Sequence, residues 1–338
     1  MKLGWLARRA FTVTPLPEMV LRFRARRHLT VLGYHRILPP VGKDYPFNES
    51  VISATPEEFA REIKYLKANT DVISIAELLS GLQNPASLPD RPAVITFDDA
   101  YVDNYQYAFP MLREAGLPAC FFVCTALPGT CEIPWHEEWV ICLKKSKSAK
   151  IESPFCGDDA PYLLDSENRA ASISRFRQKA RYYPWSQVPA MLQRLRDSTG
   201  VNAREFLTES LFLSWDQARE MEAGGMTMGG HTRTHPILSR VDDAAVLEGE
   251  VAGCFQDLTR ELGKEPLAFA YPFGYADYMS DAADREIERA GFQLSFSFIN
   301  GFAPREQGRV HRLPRIHASH GENYQSFRFR TATAPCQN

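Results

Sequence analysis

The patterned part of the chain begins at Leu29, where "LTVLGYHRI" gathers apolar and β-branched residues ahead of Gly33, Tyr34 and His35. A buried strand running into a loop reads this way. In "ATPEEFAREIKYLKANT", Phe59, Ile63 and Leu66 recur at helical spacing; Thr55 takes the N-cap, Pro56 the first helical position, and Glu58 closes a capping box. "DVISIAELLSGL" repeats the arrangement as a short strand and a helix, with Ser74 as N-cap and Glu77 three residues on. "RPAVITFDD" is then a strand, "NYQYAFPMLREAG" a helix stopped at Gly116, and "PACFFVCTA" another strand. This alternation predicts an α/β fold with a parallel sheet and right-handed crossovers.

The rhythm breaks at residue 131 and resumes after 211. The segment between holds charge clusters such as "LKKSKSAK" and amphipathic stretches such as "WSQVPAMLQRLRDSTG", which predict a mainly helical insertion. Beyond it, "GGMTMGGHTRTHP" reads as a strand opening into a loop. A long helix from about Asp242 puts Leu247, Val251, Cys254, Leu258 and Leu262 on one stripe and stops at Gly263. "PLAFAYPFG" and "FQLSFSF" are further strands on either side of the helix "SDAADREIERAG". The expected organisation is a basic leader over 1–28, two halves of one α/β unit over 29–130 and 212–329, the insertion over 131–211, and a frayed tail over 330–338.

With 338 residues, 44% of them hydrophobic, the chain can bury a substantial core. The net charge of -2 comes from interspersed acids and bases, so no basic face points to nucleic acid as a partner. Seven irregularly spaced cysteines without a C-x-x-C pair predict neither a disulfide framework nor a structural zinc site, and favour a reducing compartment. The N-terminus lacks a signal-like apolar stretch, and no run of about 18 apolar residues occurs, so a cytoplasmic location is expected. Arg8, Arg9, Arg22, Arg24, Arg26 and Arg27 interleave with Leu6, Phe11, Leu21 and Phe23. That pattern suits a solvated leader or a helix lying on an anionic membrane surface, which leaves peripheral membrane contact open.

In "AVITFDDAYVDNY" two carboxylates, Asp98 and Asp99, follow directly on a strand. Strand C-termini of a parallel sheet share one face, where such folds keep their active sites. His35, Asp98, Asp99 and His231 all fall at such ends and can converge. His231 and His235 form an H-x-x-x-H pair, which one helical turn would bring within reach of one metal ion; a capped or solvated loop fits the same spacing. Gly229, Gly230 and Pro236 around the pair allow an unusual backbone. Two imidazoles and a carboxylate would leave open coordination positions, as catalytic sites do. Adjacent carboxylates at a strand end diverge, so one can face a metal while the other serves as general base; capping of the next helix is the alternative.

"TFDDAY" resembles the first motif, usually TFDDG, of the polysaccharide deacetylases, also called the NodB-homology family or carbohydrate esterase family four. "HTRTH" resembles their second, H-(S/T)-x-x-H, and "FAYPFG" their third; the likeness covers about 29–122 and 213–317. It implies a distorted (β/α) barrel of the NodB-homology type, interrupted by the helical insertion. The implied activity is metal-dependent N-deacetylation of N-acetylated sugars, in a polysaccharide or a glycan precursor. Asp98 would be the base, and Asp99, His231 and His235 would hold the ion that polarises the acetamide and acidifies water. A backbone N–H near Phe273 would stabilise the oxyanion, with Tyr271 and Pro272 beside it against the substrate.

Most members take their general acid from a late L-x-H motif, from which "HRLPRIHAS" departs. The poly-N-acetylglucosamine deacetylase-like branch uses a first-strand histidine, which "LGYHRI" resembles. His35 is therefore the expected acid and His317 the second candidate. Where many members carry an arginine that orients the base, this chain has Ala270, and Arg315 is the candidate substitute. Trp135, Trp139 and Tyr275 suit sugar stacking or core packing, whereas Trp215 belongs to a capped helix. Zinc is the expected ion, with cobalt, nickel and iron suited to the same ligands. A deformylase or cyclic-amide hydrolase on the same scaffold, or a carbohydrate-binding homologue without turnover, are the alternatives.

Overall fold

The strands form where the apolar runs lie. A computed structural model describes residues 14–158, 160–305, 308, 310–318, 321 and 323–337. Among them the strands are β1 (Thr30–Tyr34), β2 (Arg36–Ile37), β3 (Ile52–Ala54), β4 (Asp71–Val72), β5 (Pro92–Phe97), β6 (Cys120–Val123), β7 (Lys150–Ile151), β8 (Tyr162–Leu163), β9 (Thr227–Gly230), β10 (Ala268–Ala270), β11 (Leu294–Asn300) and β12 (Leu313–His317). The main sheet runs β1-β12-β11-β10-β9-β6-β5-β4, and β1 also pairs with β5. Seven parallel strands therefore close into a barrel, with β4 outside β5. β1, β5 and β6 are buried along their whole length, which is why they read as continuous apolar runs rather than alternating ones. The closure is irregular, as expected of a distorted barrel: β9 meets β10 through Phe269 and Gly230, and the β11–β12 register shifts between Phe296 and Asn300.

Local signals set the surrounding helices. The capping boxes at Thr55/Glu58, Ser74/Glu77 and Ser214/Gln217 are all formed, and Gly116 and Gly263 end their helices in the left-handed conformation. One helix departs from regularity. Pro110 has no N–H to donate, and the chain ahead of it widens into π-type turns over Asn104–Ala108 before Phe109–Ala115.

Residues 131–211 contain helices Trp135–Lys145, Arg169–Ala180 and Val188–Thr199 and the antiparallel pair β7–β8. They gather around their own apolar cluster, including Trp139, Phe155, Phe176 and Leu195. Ile237, Phe273 and Tyr278, from loops that follow β9 and β10, join that cluster and fasten the segment over the C-terminal end of the barrel.

Both ends of the described chain differ from expectation. Helix Leu16–Ala25 buries Pro17, Leu21 and Ala25 against the body, so this part of the leader is docked. Arg8, Arg9, Leu6 and Phe11 lie outside the described residues. The tail does not fray after Phe329: helix Tyr324–Thr333 continues through it, burying Thr331 and Ala332, and Phe302 N donates to Pro335 O at 2.8 Å. Arg328 of this helix reaches Glu18 of the first at 2.7 Å, which ties the two ends together. Among the described residues no helix is long and apolar enough to cross a membrane.

Candidate active site

The two carboxylates after β5 diverge because the backbone turns sharply under them. Asp98 N still donates to Tyr34 O at 2.9 Å, in continuation of the strand pairing. Asp99 and Ala100 then adopt φ values of 69° and 56°. Left-handed backbone costs a non-glycine residue of order 1 kcal/mol or more and persists only where its surroundings impose it. Here it sends Asp98 toward β12 and Asp99 toward the loop after β9.

On the β12 side, Arg315 grips Asp98 with both arms: Nη1 donates to Oδ1 at 2.7 Å and Nη2 to Oδ2 at 2.8 Å. The guanidinium is fully buried, and Nε donates to Ser297 O at 2.8 Å while Nη1 also reaches Thr96 Oγ1 at 3.1 Å. On the other side, Asp99 Oδ1 lies 3.4 Å from His231 Nε2 and 3.2 Å from His235 Nε2.

The histidines do not share a helical turn; 231–236 is irregular. Thr232 and His235 take φ values of 64° and 65°, His235 N donates to Thr232 Oγ1 at 3.0 Å, and the N–H groups of Arg233 and Thr234 both donate to Glu250 Oε2 at 2.9 Å. Glu250, on the helix Ala244–Leu262, thus fixes a loop that the four-residue spacing alone does not specify. Nor do Gly229 and Gly230 supply the unusual backbone. They are needed for close approach: a Cβ at Gly229 would stand 2.7 Å from the Phe122 ring, and one at Gly230 2.6 Å from the Phe292 ring.

The donor set fits a divalent ion. Asp99, His231 and His235 bring one ligand atom each within 4.8 Å of one another, all three residues buried. His231 Nδ1 donates to Ala270 O at 2.7 Å, which leaves Nε2 with its lone pair toward Asp99. Asp99 Oδ1 has no hydrogen-bond partner of its own. A buried carboxylate oxygen and two imidazole nitrogens, hard and borderline donors in a compact group, suit zinc or a neighbouring transition metal.

Burial pushes both aspartates up, yet their partners prevail. Arg315, His231 and His35 hold Asp98 below the ordinary carboxylate range, and the histidines hold Asp99 well below it. Burial likewise pulls His231 down, but Asp99 and Asp98 leave it raised. For His35 burial wins, and the imidazole is lowered despite both aspartates. Its Nε2 stands 3.9 Å from Asp98 Oδ2, and its ring meets Phe298 edge-on at 5.1 Å.

His317 is placed differently, flat on Phe298 with ring centroids 3.7 Å apart, and burial pulls it down to about 3. It does not border the cavity that His35, Asp98, Asp99 and His235 share. Phe273, Trp135, Trp139 and Tyr275 do border that cavity. Trp135 donates from Nε1 to His235 O at 2.9 Å, Trp139 stacks on Phe176 in the insertion's own core, and Tyr275 stands half-exposed at the rim. Tyr271 and Pro272 fall outside the lining: the Tyr271 side chain is buried and its hydroxyl is bonded to Asp284, away from the carboxylates. Phe273 has a φ of 58°, and its backbone N–H has no acceptor among the described residues.

Several residues of the cavity were missed in the sequence, among them Asn48, Arg177, Arg181 and His136. His136, second in the helix Trp135–Lys145, lies with its ring 4.3 Å from that of His235. The available signal was its place between Trp135 and Trp139 in "PWHEEW", but a lone histidine among aromatics reads as core.

The family model for polysaccharide deacetylases matches residues 86–146 and 183–295, a little over half of the chain. The chain belongs to the polysaccharide deacetylase family. Among curated proteins it is 29% identical over 96 residues to a putative polysaccharide deacetylase, YxkH, of Bacillus subtilis; the match covers 28% of this chain and 31% of that protein. The match with this relative therefore spans about a third of its length. Among solved structures, the Streptococcus pyogenes deacetylase PplD, in complex with acetate, superposes with a TM-score of 0.59 at 18% identity, covering 90% of this chain and 98% of that one. IcaB from Ammonifex degensii gives 0.58 at 18% identity, covering 91% and 98%. At such identities the likeness is one of fold, and it agrees with the distorted barrel. The family match skips 147–182, inside the segment that breaks the strand rhythm.

Proposed function

We propose that this deacetylase-family chain hydrolyses the acetamide of N-acetylated sugars with a divalent ion held by Asp99, His231 and His235. The observation that carries the reading is the divergence of Asp98 and Asp99. One carboxylate joins two imidazoles, and the next is left free of them, locked by Arg315 and open to the same cavity. When bound, the ion supplies Lewis-acid polarisation of the scissile carbonyl and a lowered pKa for water.

The remaining work falls to the chain. Asp98, held ionised by Arg315, accepts the proton of the attacking water. His35, 3.9 Å from it and bordering the same cavity, hands the departing amine a proton. Its lowered pKa suits a relay, in which the proton Asp98 collects passes through His35 rather than being stored there. The free N–H of Phe273 is the donor for the carbonyl oxygen as it gains charge. Tyr275 at the rim and Trp135 at the wall suit the C–H faces of a pyranose.

The test is acetate release from N,N′-diacetylchitobiose by the protein loaded with zinc. Turnover is expected with zinc, is expected to vanish with a chelator, and is expected to return with zinc or cobalt. Formate release from an N-formylated sugar at a higher kcat/KM would assign the chain to deformylation instead.

A further inference from the structure

We infer that His136 is a substrate-binding residue, through which the segment over the barrel mouth reaches the sugar; this rests on the deacetylase reading above. His136 is 6% exposed, and neither of its ring nitrogens has a hydrogen-bond partner. Buried polar groups are hydrogen-bonded as a rule, so this one asks for a partner. Its helix is positioned by the neighbours. Trp135 Nε1 donates to His235 O at 2.9 Å, while Glu137 accepts from Tyr101 Oη and Asn48 N, both at 2.8 Å. His136 is thus held beside His235 by bonds that are not its own.

It borders the cavity of Asp98 and Asp99 but stands outside the compact ligand group of Asp99, His231 and His235. A neutral imidazole offers one donor and one acceptor. A sugar hydroxyl next to the acetamide, which both donates and accepts, matches it.

The experiment compares wild type, His136→Ala and His136→Gln on N,N′-diacetylchitobiose, with zinc affinity measured by calorimetry on the same proteins without sugar. His136→Ala is expected to lower kcat/KM about tenfold, mainly through KM, as loss of one or two hydrogen bonds does. Zinc affinity is expected to hold, and His136→Gln to recover part of the loss. Wild-type kinetics in the alanine variant would overturn the inference, and so would loss of zinc affinity, which would make His136 a ligand. A wild-type protein that releases no acetate refutes the deacetylase reading itself; equal binding of N-acetylglucosamine by wild type and His136→Ala would then refute the role of His136 separately.

A second observation, independent of the site, concerns helix Leu16–Ala25. We propose that one face of this helix, with Arg26 and Arg27, lies on an anionic lipid surface. Leu16, Met19 and Phe23, at spacings of three and four, are 44%, 63% and 57% exposed. They are three of the seven large apolar side chains exposed among the described residues, concentrated on one ten-residue helix. The opposite side, Pro17, Leu21 and Ala25, is buried in the body, so the orientation is fixed.

Arg26 and Arg27 are exposed beside this stripe, with the Arg27 guanidinium 4.4 Å over the Phe23 ring, whereas Arg22 turns back to Asn69 Oδ1 at 2.8 Å. Asp90 offsets Arg26 at 3.8 Å, and Glu18 is turned inward to Arg328. An apolar stripe edged by arginines matches acyl chains below anionic headgroups.

Co-sedimentation of the full chain with vesicles of phosphatidylglycerol and phosphatidylcholine tests this against vesicles of phosphatidylcholine alone. Binding is expected only to the anionic vesicles, weakening with salt, and dropping at least tenfold in a Met19→Asp/Phe23→Asp variant that keeps wild-type deacetylation. No binding, or equal binding to both vesicles, overturns the proposal. So does a concentration-dependent dimer in analytical ultracentrifugation that the same variant abolishes, since the face would then join two copies of the chain.

Discussion

Asp98→Asn is expected to lower acetate release by about 10²- to 10⁴-fold, the usual contribution of a positioned general base, while zinc still binds at wild-type stoichiometry. The amide keeps the shape of the carboxylate and one acceptor for Arg315; the buried guanidinium loses its counter-charge, which costs stability, but the neighbouring ligand group of Asp99, His231 and His235 is untouched. What it loses is the charge that takes up a proton. Asp99→Ala is expected to behave differently, because Asp99 rather than Asp98 touches both imidazoles, at 3.4 and 3.2 Å. That variant should lose zinc and turnover together. Metal content by mass spectrometry of the purified proteins, beside acetate release, separates the two. Near-normal turnover in Asp98→Asn would remove Asp98 as the base, and retained stoichiometric zinc in Asp99→Ala would remove Asp99 as a ligand.

This division of labour was legible in the sequence to the extent that it is local. Strand ends are marked by the change from apolar runs to polar residues, and helix starts by capping boxes that need only four residues. Both are decided by near neighbours, and Thr55, Ser74 and Ser214 cap as their sequences require. The strand-helix rhythm indicated a parallel sheet, whereas its closure into a barrel, here through β1 and β5, was implied only by the family resemblance. What depends on distant docking was not legible. H-x-x-x-H spacing fits a helical turn and also a loop with two left-handed residues, and Glu250, fifteen residues downstream of His235 in sequence, decides between them. His136 could not be placed until its helix was seen against the barrel mouth. The residues after Phe329 look frayed only while their partners, Arg24 and Phe302, are unknown to them.

Arg315 lies between these cases: its strand end was readable and the resemblance made it the candidate to orient the base, but the two-armed geometry of its grip on Asp98 was not readable. Arg315→Ala is expected to cost about 3–5 kcal/mol of stability, read by urea denaturation, because it strands a buried carboxylate. It is also expected to lower kcat about 10²-fold, since a base displaced by even 1 Å from its water loses that much. The pH dependence gives the sign independently. Burial alone would raise the Asp98 carboxyl, and Arg315 is the first of the groups that hold it low. Without the guanidinium the carboxyl rises, and the acidic limb of the rate profile should move to higher pH. In the wild type the stabilisation from this pair is present above the unfolded aspartate value of about 3.9 and is lost as pH falls through the lower folded value. Arg315→Lys keeps a charge but not the planar fork that reaches both Asp98 oxygens and Ser297 O, so it should recover stability better than rate. If Arg315→Ala instead kept wild-type kcat and an unmoved acidic limb, the guanidinium would serve the fold alone and the base would owe its position to the backbone turn at Asp99.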